Sequence, residues 1–159
     1  MLLTCCRGGA GGGGADEPVR LQAMVVFPPK DTIRFALPAT THRCNDGRSL
    51  LLEAASALGS GMLVRLRYDD TLAAGQYPVI MPSDTAAPRG AAVAVRYLIR
   101  DVPHGFSFDS GAVDVRRDGR TLRAHVEGRG LENAIRIFAT ADYRGLPLTG
   151  DTVPCLYQP

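Results

Sequence analysis

The sequence predicts an all-β protein, a Greek-key β-sandwich of about seven to nine short strands, on three observations. Apolar residues recur at every second position through most of the chain beyond Asp31. Clusters of glycine, proline, aspartate and asparagine interrupt these runs at intervals of about eight to twelve residues, the spacing of turns in a sandwich or barrel. Two solitary cysteines, Cys44 and Cys155, stand near the two ends of the patterned region. Period two means strands with one face buried and one in water. A chain of 159 residues suits one domain and can bury a core without a structural metal.

Residues 1–30 read as a tether with a remnant export segment, and residues 31–159 as the folded domain. Gly8, Gly9 and Gly11 to Gly14 confer coil flexibility, and Asp16, Glu17 and Pro18 follow without an apolar period. Leu21 to Phe27 is apolar enough for a strand or edge segment, but Pro28-Pro29 ends it, so the domain is expected to begin near Asp31. Ile33, Phe35 and Leu37 then alternate with polar or small residues. Leu50 to Ala57 contains good helix formers, yet its place between Asp46-Gly47 and Gly59-Ser60-Gly61 favours a strand entering a hairpin. Met62, Val64, Leu66 and Tyr68 form the next inward set, followed by Val93, Val95, Tyr97 and Ile99. Ile135, Ile137, Ala139, Ala141 and Tyr143 form another.

Asp118-Gly119 predicts a type I′ hairpin, because both central residues of that turn need positive φ. With those residues at the tip, Val115 faces Leu122, Val113 faces Ala124 and Asp114 pairs with Arg123 on the outer side. Leu72-Ala73-Ala74-Gly75-Gln76-Tyr77 resembles the Leu-x-Pro-Gly-x-Tyr pattern of tyrosine corners in Greek-key, immunoglobulin-like β-sandwiches, without its proline. That resemblance implies a tyrosine hydroxyl bonded back to the arch backbone. It implies nothing about activity.

Composition excludes several classes. The apolar share of 45% is that of a globular protein. Eighteen basic against sixteen acidic residues is too even a balance for a nucleic-acid protein. No run reaches the roughly 18 to 20 apolar residues of a spanning helix, so membrane contact is expected only through a lipid anchor. Leu2-Leu3-Thr4-Cys5-Cys6 resembles the end of a bacterial lipoprotein signal, whose lipobox sets a large aliphatic residue three positions before the lipidated cysteine. The resemblance implies Cys5 or Cys6 as the acceptor, a start upstream of Met1, and an exported protein in the periplasm or on the outer face of the envelope. The alternative is a pair of ordinary thiols at a frayed terminus.

Cys44 and Cys155 are expected to form a disulfide closing a loop of about 110 residues, worth about 4 to 5 kcal/mol on the chain-entropy model. Such a bond fits an oxidising compartment. The alternatives are unpaired cysteines, or a metal site with His42. Zinc sites group their ligands in close pairs, and no Cys-x-x-Cys occurs. No metal and no cofactor are expected.

Candidate chemistry is sparse. By parity His125 faces solvent. His104 lies in a polar stretch with Asp101, Ser107, Asp109 and Ser110, expected to be a hairpin loop; a hydrolase needs such groups in spatial register, and no Gly-x-Ser-x-Gly elbow occurs. Glu17, Glu53, Glu127 and Glu132 establish no glycosidase pair, and Asp69-Asp70 and Asp84 match no regular calcium loop. Arg65, Arg67, Arg96, Arg100, Arg116, Arg123 and Arg136 all fall on outward positions. If several share one sheet they make a cationic face suited to an anionic glycan or a lipid headgroup. The bland alternative is that arginine is simply the surface cation of this chain, since Lys30 is its only lysine. The sequence is therefore read as a non-catalytic envelope lipoprotein or secreted module that binds or supports an unidentified envelope component. The alternative is a small envelope hydrolase with its site around His104.

Overall fold

A computed structural model describes residues 17–84, 86–148 and 151–155. Cys5, Cys6 and the glycine run lie outside the described residues. Within them the protein is all-β: β1 (Leu21–Phe27), β2 (Asp31–Leu37), β3 (Thr40–Cys44), β4 (Ser49–Ala55), β5 (Gly61–Arg67) and β6 (Gly75–Pro78), then β7 (Gly90–Ile99), β8 (Val102–Asp118), β9 (Thr121–Glu132), β10 (Ile135–Pro147) and β11 (Thr152–Val153).

The strands form one curled sheet, a half-barrel, in the order β11-β3-β4-β5-β7-β8-β9-β10-β1-β2, with β6 beside β8. Eleven strands exceed the seven to nine expected. Apart from β6 and β11, neighbours in the sheet run in chain order around the curl, with β10 meeting β1. The long crossover that defines a Greek key is therefore absent from the described strands. Pro38 and Ala39 join β2 to β3 although these strands stand at or near opposite ends of the order. Only a strongly curled sheet lets two residues make that connection.

Alternation decides what lies inside the curl. Leu52, Val64, Leu66, Val113, Leu122 and Val126 are fully buried, together with Tyr77, Tyr97 and Tyr143. The domain boundary needs correction. Leu21 and Val25 are fully buried, and β1 lies between β10 and β2 with a ladder on each side. The Pro28-Pro29 pair is only the turn of the β1–β2 hairpin, so the folded unit extends N-terminal to Asp31.

β8 makes the corner. Its first part pairs with β7 from Val102 to Ser107. Beyond an irregularity between Phe108 and Ser110 its second part pairs with β9 and β6. A β-bulge of this kind bends the bulged strand. Gly128 and Gly130 of β9 clear the inside of the bend: an added Cβ would stand 2.2 Å from the Phe108 ring at Gly128, and 2.0 Å from the Ser107 carbonyl at Gly130. Two halves result, β11-β3-β4-β5-β7 on one side of the bend and β6-β9-β10-β1-β2 on the other. The buried Tyr143 hydroxyl donates to the Met62 carbonyl across them (2.9 Å).

The tyrosine corner forms as its pattern implies. Tyr77 donates to the Ala73 carbonyl at 2.8 Å, and the Arg89 guanidinium covers its ring at 4.1 Å. The Asp-Gly hairpin forms with a different register. Asp118 pairs with Thr121 and Val115 with Ala124, not Leu122. The central residues are Gly119 and Arg120, and only Gly119 has positive φ, the pattern of a type II′ turn, which asks for glycine at its first position alone. Parity survives because the partner moves by two residues, but the outer neighbours change. Type I′ conformations occur instead at Arg100-Asp101 and Asn133-Ala134, where both residues have positive φ.

Candidate functional site

The register change creates the most distinctive feature of the surface. Asp114 stands opposite His125, and Arg116 stands directly opposite Arg123. Both arginines are exposed. Residues directly opposite in an antiparallel pair have Cβ atoms about 4.5 to 5.5 Å apart, and like charges there destabilise the pair. Arg117 and Arg120 add cations at the same hairpin. Asp118 approaches Arg123 only to 3.7 Å, with both side chains more than 60% exposed, so it offsets little of the repulsion. Two guanidinium forks at this spacing can donate to the oxygens of one phosphate, sulfate or carboxylate group.

The other candidate arginines do not join them. Arg65 on β5 donates to Asp46 at 2.8 Å. Burial works against the Asp46 charge, but hydrogen bonds from the Arg48 N–H, Ser49 and Arg65 hold its carboxyl below the ordinary value. Arg67 donates to the carbonyls of Asp84 and Ala87. Arg136 is paired with Asp109 across the bulge, and that contact leads the causes that lower the Asp109 pKa. Arg96 lies exposed on β7, and Arg100 sits in the β7–β8 turn. The seven arginines thus make no single cationic face: Arg65, Arg67 and Arg96 lie on β5 and β7, Arg116 and Arg123 on β8 and β9, Arg136 apart on β10, and Arg100 in a turn.

The His104 region also departs from expectation. His104 lies within β8, not in a loop, and shares the inward side with Phe106 and Phe108 while Ser107 is exposed. Its ring stacks on Tyr97 with centroids 5.5 Å apart, and Tyr97 stacks in turn on Phe27. Its Nδ1 contacts the Glu132 Oε1 at 3.0 Å, and the Gly105 N–H donates to the same oxygen at 3.2 Å. The Tyr97 hydroxyl donates to Oε2. Burial opposes ionisation of Glu132, yet the bonds from Tyr97, Gly105 and His104 hold its carboxyl below the ordinary range. A carboxylate only accepts, so His104 Nδ1 carries the proton. Burial first, then the Glu132 carboxylate, pushes the Tyr97 hydroxyl up. The cluster ties the β7–β8 turn to the β9–β10 turn, and no sequence signal pointed to it because Glu132 is 28 positions from His104.

Cys44 and Cys155 are bonded. The bond is compatible with an exported protein. Cys155 lies just beyond β11 rather than within it. The thiol–metal alternative is set aside: His42 instead faces the Thr40 hydroxyl at 3.2 Å and Glu53 at 3.7 Å. His125 is exposed as expected and contacts Asp142 at 2.9 Å. Asp84 accepts from the N–H groups of Ala86 and Ala87, which is turn chemistry. No group of three or more His, Cys, Asp or Glu among the described residues is arranged to hold a metal. Comparison with protein-family models, with curated proteins and with solved structures found no match to this chain.

Proposed function

We propose that the chain is a non-catalytic module of the cell envelope, exported and held by lipid at Cys5 or Cys6, that grips an oxyanion-bearing envelope component at the β8–β9 hairpin. The cross-strand pair of Arg116 and Arg123 carries this reading. An exposed like-charge pair costs stability in the free protein, and an anion bridging both guanidinium groups converts that cost into affinity. The partner chemistry is a phosphate, sulfate or carboxylate group, from an anionic glycan or a lipid headgroup.

Retention on anionic phospholipid vesicles and on a sulfated polysaccharide matrix tests the proposal and separates the two sources. Arg116→Ala with Arg123→Ala should weaken retention about tenfold or more, the scale of lost charge-assisted hydrogen bonds. Arg65→Ala with Arg67→Ala should leave it unchanged, because those arginines already have partners within the chain. Equal loss from both pairs would show that only net charge matters and would end the hairpin reading.

The hydrolase alternative has one observation in its favour. Glu132 orients His104 through Nδ1, and a carboxylate-held imidazole leaves Nε2 as a base. Ser107 faces outward, and Asp109 is bound to Arg136 and Ser110. Ester hydrolysis abolished by His104→Ala with the fold intact would restore this reading.

A further inference from the structure

Five hydrogen-bonding side chains line up straight across the outer face of the half that holds β6, β9, β10 and β1. The register sets Gln76 of β6 opposite Asp114 of β8, and Asp114 opposite His125 of β9. His125 stands opposite Asp142 of β10, and Asp142 opposite Gln22 of β1. Their chain neighbours Tyr77, Val113, Ala124, Ala141 and Leu21 are buried, so all five point outward. Four strand spacings of about 4.8 Å make the row about 19 Å long. Asp142 fixes the His125 ring through Nδ1 at 2.9 Å, whereas the side chains of Gln76, Asp114 and Gln22 have no hydrogen bond or ion pair among the described residues. Small residues leave room along one flank of the row. Gly111 and Ala112 lie in a hollow of about 390 Å³ bordered by Gln76, Asp114 and His125, with the half-exposed Phe138 ring on its far side. Ala36 and Thr140 lie in another of about 440 Å³, bordered by Gln22 and Asp142. Along the other flank, one two-residue step of about 6.7 Å toward the hairpin, stand Arg116 and Arg123.

We propose that this row holds a glycan of mainly neutral sugars, whose acidic substituent is the group gripped by Arg116 and Arg123. The inference rests on the hairpin reading and chooses between its two sources. The chemistry of the row selects the class. Carboxylates accept from hydroxyls, and amides both accept and donate, so such groups side by side match the adjacent hydroxyls of a sugar ring. The Phe138 ring offers the apolar C–H side of a sugar a surface to lie against. A peptide anchor needs a fully desolvated pocket, and these hollows are open and edged by charges. A nucleic acid or a densely acidic polymer meets the like charges of Asp114 and Asp142. An anionic membrane meets them too, because the row shares its face with the arginines. The hairpin tip itself, Arg117 to Thr121, carries no apolar side chain to enter a bilayer. A polysaccharide lying across the strands reaches the whole row, with its rings over the hollows and its acid on the arginine side.

Isothermal titration calorimetry of the disulfide-intact chain with hyaluronan oligosaccharides, which alternate acidic and neutral sugars, tests this. The wild type should bind them more tightly than polygalacturonate, in which every sugar is acidic, and more tightly than phosphatidylglycerol vesicles. Gln22→Ala with Gln76→Ala should weaken hyaluronan binding about tenfold, the scale of two lost hydrogen-bonding groups, with an unchanged melting curve. Undiminished affinity in that variant would overturn the row and leave the hairpin reading standing. So would tighter binding of the wild type to polygalacturonate or to the vesicles. Arg116→Ala with Arg123→Ala should abolish binding to hyaluronan. If that pair binds like the wild type, the hairpin reading falls and this inference with it. Failure to bind any of the three probes would overturn both.

Discussion

β5 in one half of the sheet and the β8–β9 hairpin in the other treat their outward arginines in opposite ways. On β5, Arg65 and Arg67 are satisfied by Asp46 and by loop carbonyls, and the positions between them and β7 hold alanine and glycine. On β8 and β9, Arg116 and Arg123 face each other and have only the exposed Asp118 nearby. Both halves have the same alternation, so alternation does not make the difference. Register makes it. A turn centred one residue later exchanges an Asp–Arg pair for an Arg–Arg pair without moving a single core residue to the surface.

The strongest way to break this contrast is to release the staple on the first half. Replacing Cys44 and Cys155 by serine should cost up to about 4 to 5 kcal/mol by the chain-entropy model, read from denaturant unfolding. Hydrogen exchange should then lose protection first in β11, β3 and β4. If β9 and β10 lose protection equally, the halves form one cooperative unit and the contrast is confined to their surfaces.

Tyr143→Phe tests what joins the halves. It removes the buried hydroxyl's hydrogen bond to the Met62 carbonyl, a loss of about 1 kcal/mol, measured as a lower unfolding midpoint. A neutral result would mean that packing alone joins the two halves.

The Glu132 cluster should act through pH. Its folded pKa lies below the unfolded value, so its contribution is full above the unfolded pKa, near 4.5, and is lost as the pH falls through the folded value. Partial exposure of His104 and Glu132 keeps the effect at about 1 kcal/mol or less. Glu132→Gln should flatten the acid limb of stability against pH; an unchanged limb would remove the cluster from the account.

The smallest effect is the most pointed. Arg116→Asp restores an opposite-charge pair with Arg123 and should raise stability by about 0.5 kcal/mol while abolishing retention on anionic surfaces. Lower stability in that variant would contradict the described register.

Much of this architecture was legible because burial follows parity. The inward sets of β5, β7 and β10 could be read from side chains such as Val64, Val95 and Ala139, and the end-to-end cysteines suggested the staple. Leu21 to Phe27 reads as a strand or edge segment and β1 is one, but Pro28-Pro29 reads as a domain boundary, whereas a proline pair can equally form the tip of a hairpin. The hairpin register was misjudged because Asp-Gly composition suits type I′, while glycine alone at the first central position suits type II′. Turns at Arg100-Asp101 and Asn133-Ala134 hold positive φ without glycine, so composition hid the first of them and half of the second. The Glu132 clamp joins residues that become neighbours only once β8 and β9 pair. Local pattern does not carry such contacts.

The place of β1 also has a mechanical meaning. A pull on the chain from its N-terminal side reaches the sheet at Leu21, in a strand bonded along six register pairs to β10 and seven to β2. Tension drawn along that strand acts on both ladders in shear, so the hydrogen bonds share the strain instead of opening one after another. A protein held by its leading end would thus meet traction with a strand gripped on both sides, while the edge at β2 bears the force only through its neighbour.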